Sequence, residues 1–323
     1  MSARIKRYQE AGRRAAEFIL SHQRPDGSFT GKDFQEDVYH KTAYSLSVAG
    51  FFAEAHRLLD WMARHDLMPS GELRHYYSPG RMQVYKDAWA CIGAHRLGRF
   101  DISYPVMTFI STFQAPCGGF PCESKEDPWV RSLTTAWAGH AALYLGRLTV
   151  ATLAGDCLIE MLRQQPDPNK FYFMMSLDGR LATPDWTEHC PCIDAAKPAQ
   201  QYWEAGIAII FLCRLYQATG ERHYLDGATK LFEFKLRCQP DGFAHGNAGK
   251  DGLGAAIYFT ITGDERAKAA ACSEADFLCD TQQPDGSWAF DYEPDNLVIR
   301  LDHAAEYNIW LQEIAAALAS SEE

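Results

Sequence analysis

An all-α fold, a single (α/α)6 toroid of six helical hairpins spanning residues 1–323, is predicted by three observations. A glycine-bearing turn recurs along the whole sequence. An amphipathic stretch precedes each copy, and a more uniformly apolar stretch follows it. A turn repeated at near-constant spacing is the signature of stacked supersecondary units. The clearest copies are Gln23-Arg24-Pro25-Asp26-Gly27-Ser28-Phe29, Gln283-Pro284-Asp285-Gly286-Ser287-Trp288 and Gln239-Pro240-Asp241-Gly242-Phe243. A degenerate copy runs from Gln114 to Cys117-Gly118-Gly119-Phe120, and weaker ones are Pro69-Ser70-Gly71-Glu72-Leu73 and Leu177-Asp178-Gly179-Arg180-Leu181. Taking glycines 27, 71, 119, 179, 242 and 286, the repeat interval is 44 to 63 residues.

The elements follow in order. The first hairpin pairs AAEFILSHQ with AYSLSVAGFF, the second AHRLLDWMARH with AWACIGAHRLG, and the third ISYPVMTFISTFQ with TTAWAGHAALYLG. The fourth pairs VATLAGDCLIEMLRQ with EAGIAIIFLCRLY, the fifth ATKLFEFKLRCQ with GLGAAIYFTITG, and the sixth CSEADFLCDTQQ with AAEYNIWLQEIAAAL. In the leading members apolar residues fall at i, i+3, i+4 and i+7, which gives a helix with one buried face. The following members are apolar nearly all round and belong in an interior. Gly50, Gly98, Gly146, Gly220 and Gly263 end several of them, where a left-handed C-cap is expected. Within the turns, proline presets φ, aspartate bonds nearby backbone, and glycine takes φ > 0. One hairpin cannot bury its own apolar face, so the hairpins must stack. An open helical solenoid is the alternative to a closed ring.

Composition narrows the function classes. Hydrophobic residues make up 47% and charged residues 23%, so a disordered chain is excluded. No apolar run reaches the roughly 18 residues that span a bilayer. The formal charge of -11 disfavours nucleic acid as a partner, because an acidic surface repels phosphate backbones. The start MSARIKRYQEAGRR lacks the apolar core of a secretory signal, and the ten cysteines then read as reduced thiols of a cytoplasmic protein.

The turn with Gln23, Gly27 and Phe29, and the one with Gln283, Gly286 and Trp288 (one residue shorter), resemble the QW motif: Gln, three residues, Gly, one residue, then Trp or Phe. That motif belongs to the superfamily of terpene cyclases and protein prenyltransferase β-subunits. The resemblance implies an α/α toroid, a fold that also carries sugar hydrolases, epimerases and polysaccharide lyases. Class II terpene cyclases carry an Asp-x-Asp-Asp acid motif, which is absent here, and use two helical domains. No set matching the Asp, Cys and His zinc ligands of the prenyltransferase β-subunit stands out. The resemblance therefore describes a lone toroid from the cyclase-like branch with its own catalytic residues.

In such a ring the turns joining outer to inner helices gather at one end, where inner-helix N-termini favour anionic or polarised groups. The long connections 66–84, 117–131, 166–200, 239–250 and 285–301 belong to that end, and long loops on one face of a scaffold carry function. Polar residues recur there: Asp37, Tyr39 and His40; Tyr85, Lys86 and Asp87; Arg131 and Thr134; Gln201, Tyr202 and Glu204; Lys250 and Asp251; Asp302, His303, Glu306 and Tyr307. Helix capping accounts for part of this set. Asp302 and Glu306 are four apart and share a face, and like charges in a confined site raise one pKa. Glu204 lies inside an apolar helix, where burial raises its pKa as well. The acid–base candidates are Asp37, His40, Glu204, Asp302, His303 and Glu306.

Aromatic residues crowd the same loops and helix starts, and ring faces pack apolar skeletons and attract cations. The expected pocket wall is Tyr77, Trp129, Trp186, Tyr202, Trp203, Trp288 and Tyr307, with Asp87, Arg131 and His245 as polar contacts. His189-Cys190-Pro191-Cys192 invites a zinc or reactive-thiol reading, but Cys-x-Cys is not the usual zinc spacing. No phosphate loop, serine elbow or HExxH is present, and neither cofactor nor metal is expected. The leading expectation is a small-molecule cyclase or isomerase acting on a terpenoid- or polyketide-like substrate by protonation in an aromatic pocket. The alternatives are a carbohydrate-active enzyme with paired carboxylates (glycosidase, epimerase or lyase) and a non-catalytic helical binding scaffold.

Overall fold

A computed structural model describes residues 1–29, 39–74, 82–121, 127–246, 249–289 and 295–320. Among them are twelve α-helices, two for each of the six predicted hairpins. They are α1 (Ser2–His22), α2 (Tyr39–Val48), α3 (Phe52–His65), α4 (Gln83–Arg96), α5 (Phe100–Ser111) and α6 (Ser132–Tyr144). The second six are α7 (Leu148–Arg163), α8 (Trp203–Thr219), α9 (Arg222–Lys235), α10 (Gly249–Thr262), α11 (Glu265–Thr281) and α12 (Leu297–Ala319). Among the described residues, strands are confined to two antiparallel pairs of three residues each. Trp129–Arg131 (β1) pairs with Met174–Ser176 (β3), and Lys170–Tyr172 (β2) pairs with Cys192–Asp194 (β4). No described helix is long and apolar enough to cross a membrane.

The chain divides into two compact units, Met1–Ile110 with Leu278–Glu323, and Ser111–Phe277. In the first, α2 packs against α3, α4 and α12, and α12 also packs against α1. In the second, α8 is the hub, in contact with α6, α7, α9 and α10. The distinction between helix classes holds. Every residue of α2 from Tyr39 to Ser47 is buried, and so is α4 from Gln83 to Ala94. In α3 only Ala55, Leu58, Leu59 and Met62 are, which is the single stripe its period dictates. Each of the five glycines expected as C-caps has a left-handed φ, from +68° to +86°.

The turns show why the motif needs glutamine and glycine. Gln23 Nε2 donates to the Gly27 carbonyl at 3.2 Å and to the Glu54 carbonyl of α3 at 3.1 Å. One amide thus closes its own turn and ties it to the next hairpin. Gln114 does the same with the Gly118 and Val150 carbonyls. At Gly27 (φ +95°) a Cβ would lie 2.1 Å from the Arg57 carbonyl oxygen, so the neighbouring backbone itself excludes a side chain.

The structure corrects three details of the repeat. In the last turn the closing amide belongs to Gln282, not Gln283. Its Nε2 reaches the Gly286 and Ala11 carbonyls at 2.9 and 2.8 Å, and Gln282-Gly286-Trp288 then has the full motif spacing. In the third copy the left-handed glycine is Gly118 rather than Gly119. The fifth, Pro240–Phe243, is a short 3-10 helix, and Gly242 is not among the left-handed glycines.

Candidate functional site

In the first unit, the start of α2 faces the first turns of α12. Lys41 Nζ lies 2.8 Å from Asp302 Oδ2 and also donates to Glu306 Oε2. Burial opposes the Lys41 charge, but the two carboxylates outweigh it and hold the ammonium well above its ordinary pKa. The repulsion expected between Asp302 and Glu306 is therefore offset by a lysine between them. Glu306 Oε1 accepts from Trp310 Nε1 at 3.2 Å. Asp302 Oδ1 is buried without a hydrogen bond, 3.9 Å from His40 Nε2. His303 stacks nearly parallel on Tyr307, with ring centroids 5.4 Å apart. Four of the six acid–base candidates, His40, Asp302, His303 and Glu306, thus belong to one neighbourhood. Asp37 and Tyr77 lie outside the described residues.

Other candidates in this unit have structural placements. Asp87 is fully buried, and Gln83 joins it at 2.9 Å to the Leu73 carbonyl of the preceding turn. Trp288 is buried, gives its indole N–H to the Leu278 carbonyl, and meets Tyr307 edge-on at 5.1 Å. It pins the last turn, the role the motif gives its aromatic.

In the second unit, Glu204 is fully buried and Arg131 Nε donates to its Oε1 at 2.6 Å. Its Oε2 accepts from the Leu133 amide at 2.9 Å, so it caps the free N–H end of α6. Burial pushes its pKa up, as expected from its apolar helix, and Arg131 offsets part of that rise. Arg131 also bonds Gln201 Oε1 at 2.8 Å. Its guanidinium lines a cavity of about 360 Å³ with Asp127, Phe173, Met174, His189, Pro191 and Gln201. Beside it, Trp129 contacts Trp186 and His189 at ring distances of 5.5 and 5.6 Å. Of the three named separately from sequence, Arg131 lines this cavity, Trp129 touches its lining residue His189, and Trp186 contacts Trp129. Trp203 is half-buried next to Glu204.

A third cluster went unread in the sequence. Lys235 of α9 lies 3.2 Å from Asp251 of α10, both fully buried, and Glu274 of α11 is fully buried beside them. Burial raises the Asp251 pKa to about 7 against the pull of Lys235. It also raises Glu274 well above the ordinary carboxylate range, with the Asp251 charge adding to the effect. Tyr202, expected in the pocket wall, is buried under Lys235, whose ammonium stands 3.8 Å over its ring, and donates its hydroxyl to Asp241 at 2.9 Å. His245 is half-buried, and its backbone N–H lies near enough to Glu274 to oppose part of the rise in the Glu274 pKa. A signal for the two missed residues existed. Lys235 extends the buried row Ala228, Leu231, Phe232, and Glu274 the row Ala267, Ala270, Ala271, so each is a charge on an apolar stripe. Lys41 was masked differently, one residue beyond His40 in a helix buried on every side.

His189 is exposed, and Cys192 is fixed in β4 opposite Tyr172. Among the described residues no group of three or more His, Cys, Asp or Glu side chains is arranged to hold a metal ion.

No protein-family model and no characterised protein sequence matches the chain. Solved structures do match its backbone. The alpha-1,6-mannanase GH76A of Salegentibacter sp. HEL1_6 superposes with a TM-score of 0.67 at 13% identity, covering 96% of this chain and 99% of that one. A type II terpene cyclase from Scytonema, solved with geranylgeranyl dihydroxybenzoate, gives 0.63 at 14% identity and covers 99% of both chains. A D-mannose isomerase gives 0.60 at 12% identity, covering 91% of this chain and 95% of that one. At such identities the likeness carries the fold and not the reaction. The chain is an all-α protein with the α/α toroid fold, in which cyclases, glycosidases and sugar isomerases all occur.

Proposed function

We propose that the chain is an acid–base enzyme that moves a proton on a polyhydroxylated, carbohydrate-like small molecule, in the manner of a sugar isomerase or epimerase. The observation that carries this reading is the division of labour at Asp302. One oxygen is held by Lys41 at 2.8 Å, and the other is buried, without a hydrogen bond, 3.9 Å from His40 Nε2. A carboxylate fixed on one side and unbonded on the other, beside an imidazole, is a base and a proton carrier in one place. The gap is longer than a hydrogen bond, as such pairs commonly are before substrate binds. Lys41 and Glu306 position Asp302, and the ring of His303, fixed on Tyr307, is a second proton carrier in reach of the same helix turn.

The same features weigh against starting a polyene cyclisation. Protonating an alkene demands a strong, uncompensated acid, whereas Asp302 and Glu306 share a lysine. Trp89 and Trp310 of this unit are fully buried and pack against each other, with ring centroids 5.6 Å apart. In the second unit, the cavity at Arg131 combines the flat apolar face of Phe173 with the hydrogen-bonding groups of Arg131, Asp127 and Gln201. That combination suits a hydroxyl-rich ring.

The test is proton exchange. Incubation with a panel of aldoses, ketoses and uronates in D2O is expected to place solvent deuterium next to the carbonyl carbon. Asp302→Asn and His40→Asn are each expected to lower that rate about 100-fold or more while the circular dichroism stays unchanged. No exchange with any sugar, together with conversion of a prenylated compound to a product of unchanged mass, would assign the cyclase reaction instead.

A further inference from the structure

We propose that Cys117 and Cys157 form an oxidative modification site, a dithiol converted to a disulfide by exchange with a small disulfide of the glutathione class. Both are free thiols, and their sulfurs lie 3.9 Å apart across 40 residues of sequence. Cys157 is buried in α7, and Cys117 is half-buried in the third turn. That turn is fixed on both flanks. Gln114 Nε2 bonds the Gly118 and Val150 carbonyls at 2.9 and 3.0 Å, and the Cys117 amide donates to the Leu177 carbonyl at 3.1 Å. Gly119 makes the approach possible, since a Cβ there would stand 2.8 Å from the Cys157 sulfur. With both backbones held, rotation about side-chain bonds is the movement left to close the gap to bonding distance.

The two thiols differ in the way exchange chemistry requires. The Cys117 pKa is lowered to about 7, first by its hydrogen bond with Cys157 and then by the turn amides. Cys157, which supplies that hydrogen and is buried, is raised. Cys117 is therefore the attacking thiolate and the more accessible partner. In the first step its sulfur bonds one sulfur of the oxidant, the oxidant's S–S bond breaks, and one thiolate leaves. The Cys117 charge is then gone, and with it part of what held the proton on Cys157. Cys157 passes its proton to the departed thiolate and attacks the Cys117 sulfur, and the second small thiolate leaves and takes up the Cys117 proton from solvent. One small disulfide is reduced to two thiols, and one protein dithiol is oxidised. The product ties α7 to the turn leading into β1, the strand that carries Trp129 and Arg131.

The experiment uses the folded chain and oxidised glutathione as the probe, with thiol titration and peptide mapping under non-reducing conditions. The expected result is the loss of two thiols and one cross-linked peptide pair containing Cys117 and Cys157, reversed by a reductant. Cys157→Ser is expected to trap a single glutathione on Cys117, and Cys117→Ser to give neither adduct nor cross-link at Cys157. Cys157→Ala, matched to wild type by circular dichroism, repeats the trapping if the serine variant does not fold. A wild-type protein that keeps both thiols, accumulates an unresolved adduct on Cys117, or cross-links through another cysteine such as Cys190 overturns the proposal.

Discussion

Lys41 and Asp302, separated by 261 residues, meet at 2.8 Å between the start of α2 and the start of α12. The lysine is almost wholly buried, and Glu306 shares it. Replacing it with methionine keeps the packing volume but leaves two carboxylates without their cation. Such a loss costs about 3–5 kcal/mol. Lys41→Met is therefore expected to lower the unfolding free energy by that amount in denaturant titrations. Lys41→Met combined with Glu306→Gln is expected to recover part of it, because the residual charge halves. If the double variant is as unstable as the sum of the singles, the three groups do not act as one network.

Arg131 and Glu204 present an asymmetry that mutation can expose. Glu204 is fully buried, whereas Arg131 retains 19% of its side-chain exposure. Removing the arginine strands a buried carboxylate, and removing the carboxylate's charge leaves a guanidinium that can turn to water. Arg131→Met is expected to cost about 3–5 kcal/mol and Glu204→Gln about 1–2, since glutamine still accepts from the Leu133 amide. The pH dependence has a fixed sign. Burial raises the Glu204 pKa on folding, so its contribution is complete below the unfolded value of 4.5 and is lost as pH rises through the folded value. Without Arg131 that loss moves to higher pH. Chemical unfolding of the Arg131→Met variant from pH 4 to 8 measures it, and a stability that rises across this range contradicts the assignment.

The reach of sequence reasoning follows from which interactions are local. Helix period, the C-cap glycines and the turn glutamines are set within a few residues, and so twelve helices were legible from spacing alone. Gln282 was misplaced by one because the sequence carries two adjacent glutamines, and the groups that select between them, the Ala11 carbonyl and the Arg14 guanidinium of α1, are far away in sequence. Asp302, Glu306 and His40 were legible as polar groups at inner-helix starts. Lys41 was not, and the apolar stripe that marks Lys235 as buried does not name its partners, because these lie on other helices and one strand of text gives no sign of who faces whom. Trp288 and Tyr202 looked like pocket residues for the same reason. Their polar atoms are taken by Leu278 and Asp241, contacts that composition cannot show.

The Lys235–Asp251–Glu274 cluster predicts a second pH signature. Asp251 has its pKa raised from 3.8 to about 7, so the native state binds this proton more tightly than the unfolded chain. The resulting stability is present below pH 3.8 and is lost as pH rises through about 7. Asparagine has no such dependence. The stability of wild type relative to Asp251→Asn is therefore expected to fall from pH 4 to pH 8, by up to about 4 kcal/mol. Lys235→Met is expected to cost about 3–5 kcal/mol at pH 8 and less at pH 5, where Asp251 carries its proton. Parallel denaturant curves at the two pH values decide it, and equal losses at both would remove the proposed charge state.

The final turn separates a bonding glutamine from its neighbour. Gln282 Nε2 joins the Gly286 carbonyl to the Ala11 carbonyl of α1, while Gln283 contributes its backbone, giving its amide to the Ser287 carbonyl and accepting from Gly286. Gln282→Ala removes three side-chain hydrogen bonds, one of them accepted from Arg14, and leaves partly buried carbonyls without donors, which costs about 1–3 kcal/mol. Gln283→Ala keeps its backbone bonds and is expected to change stability by less than about 0.5 kcal/mol. Thermal unfolding of the two variants side by side measures the difference. Equal effects would mean that the turn is held by its backbone alone, and that the glutamine of the repeat has no part in joining one hairpin to the next.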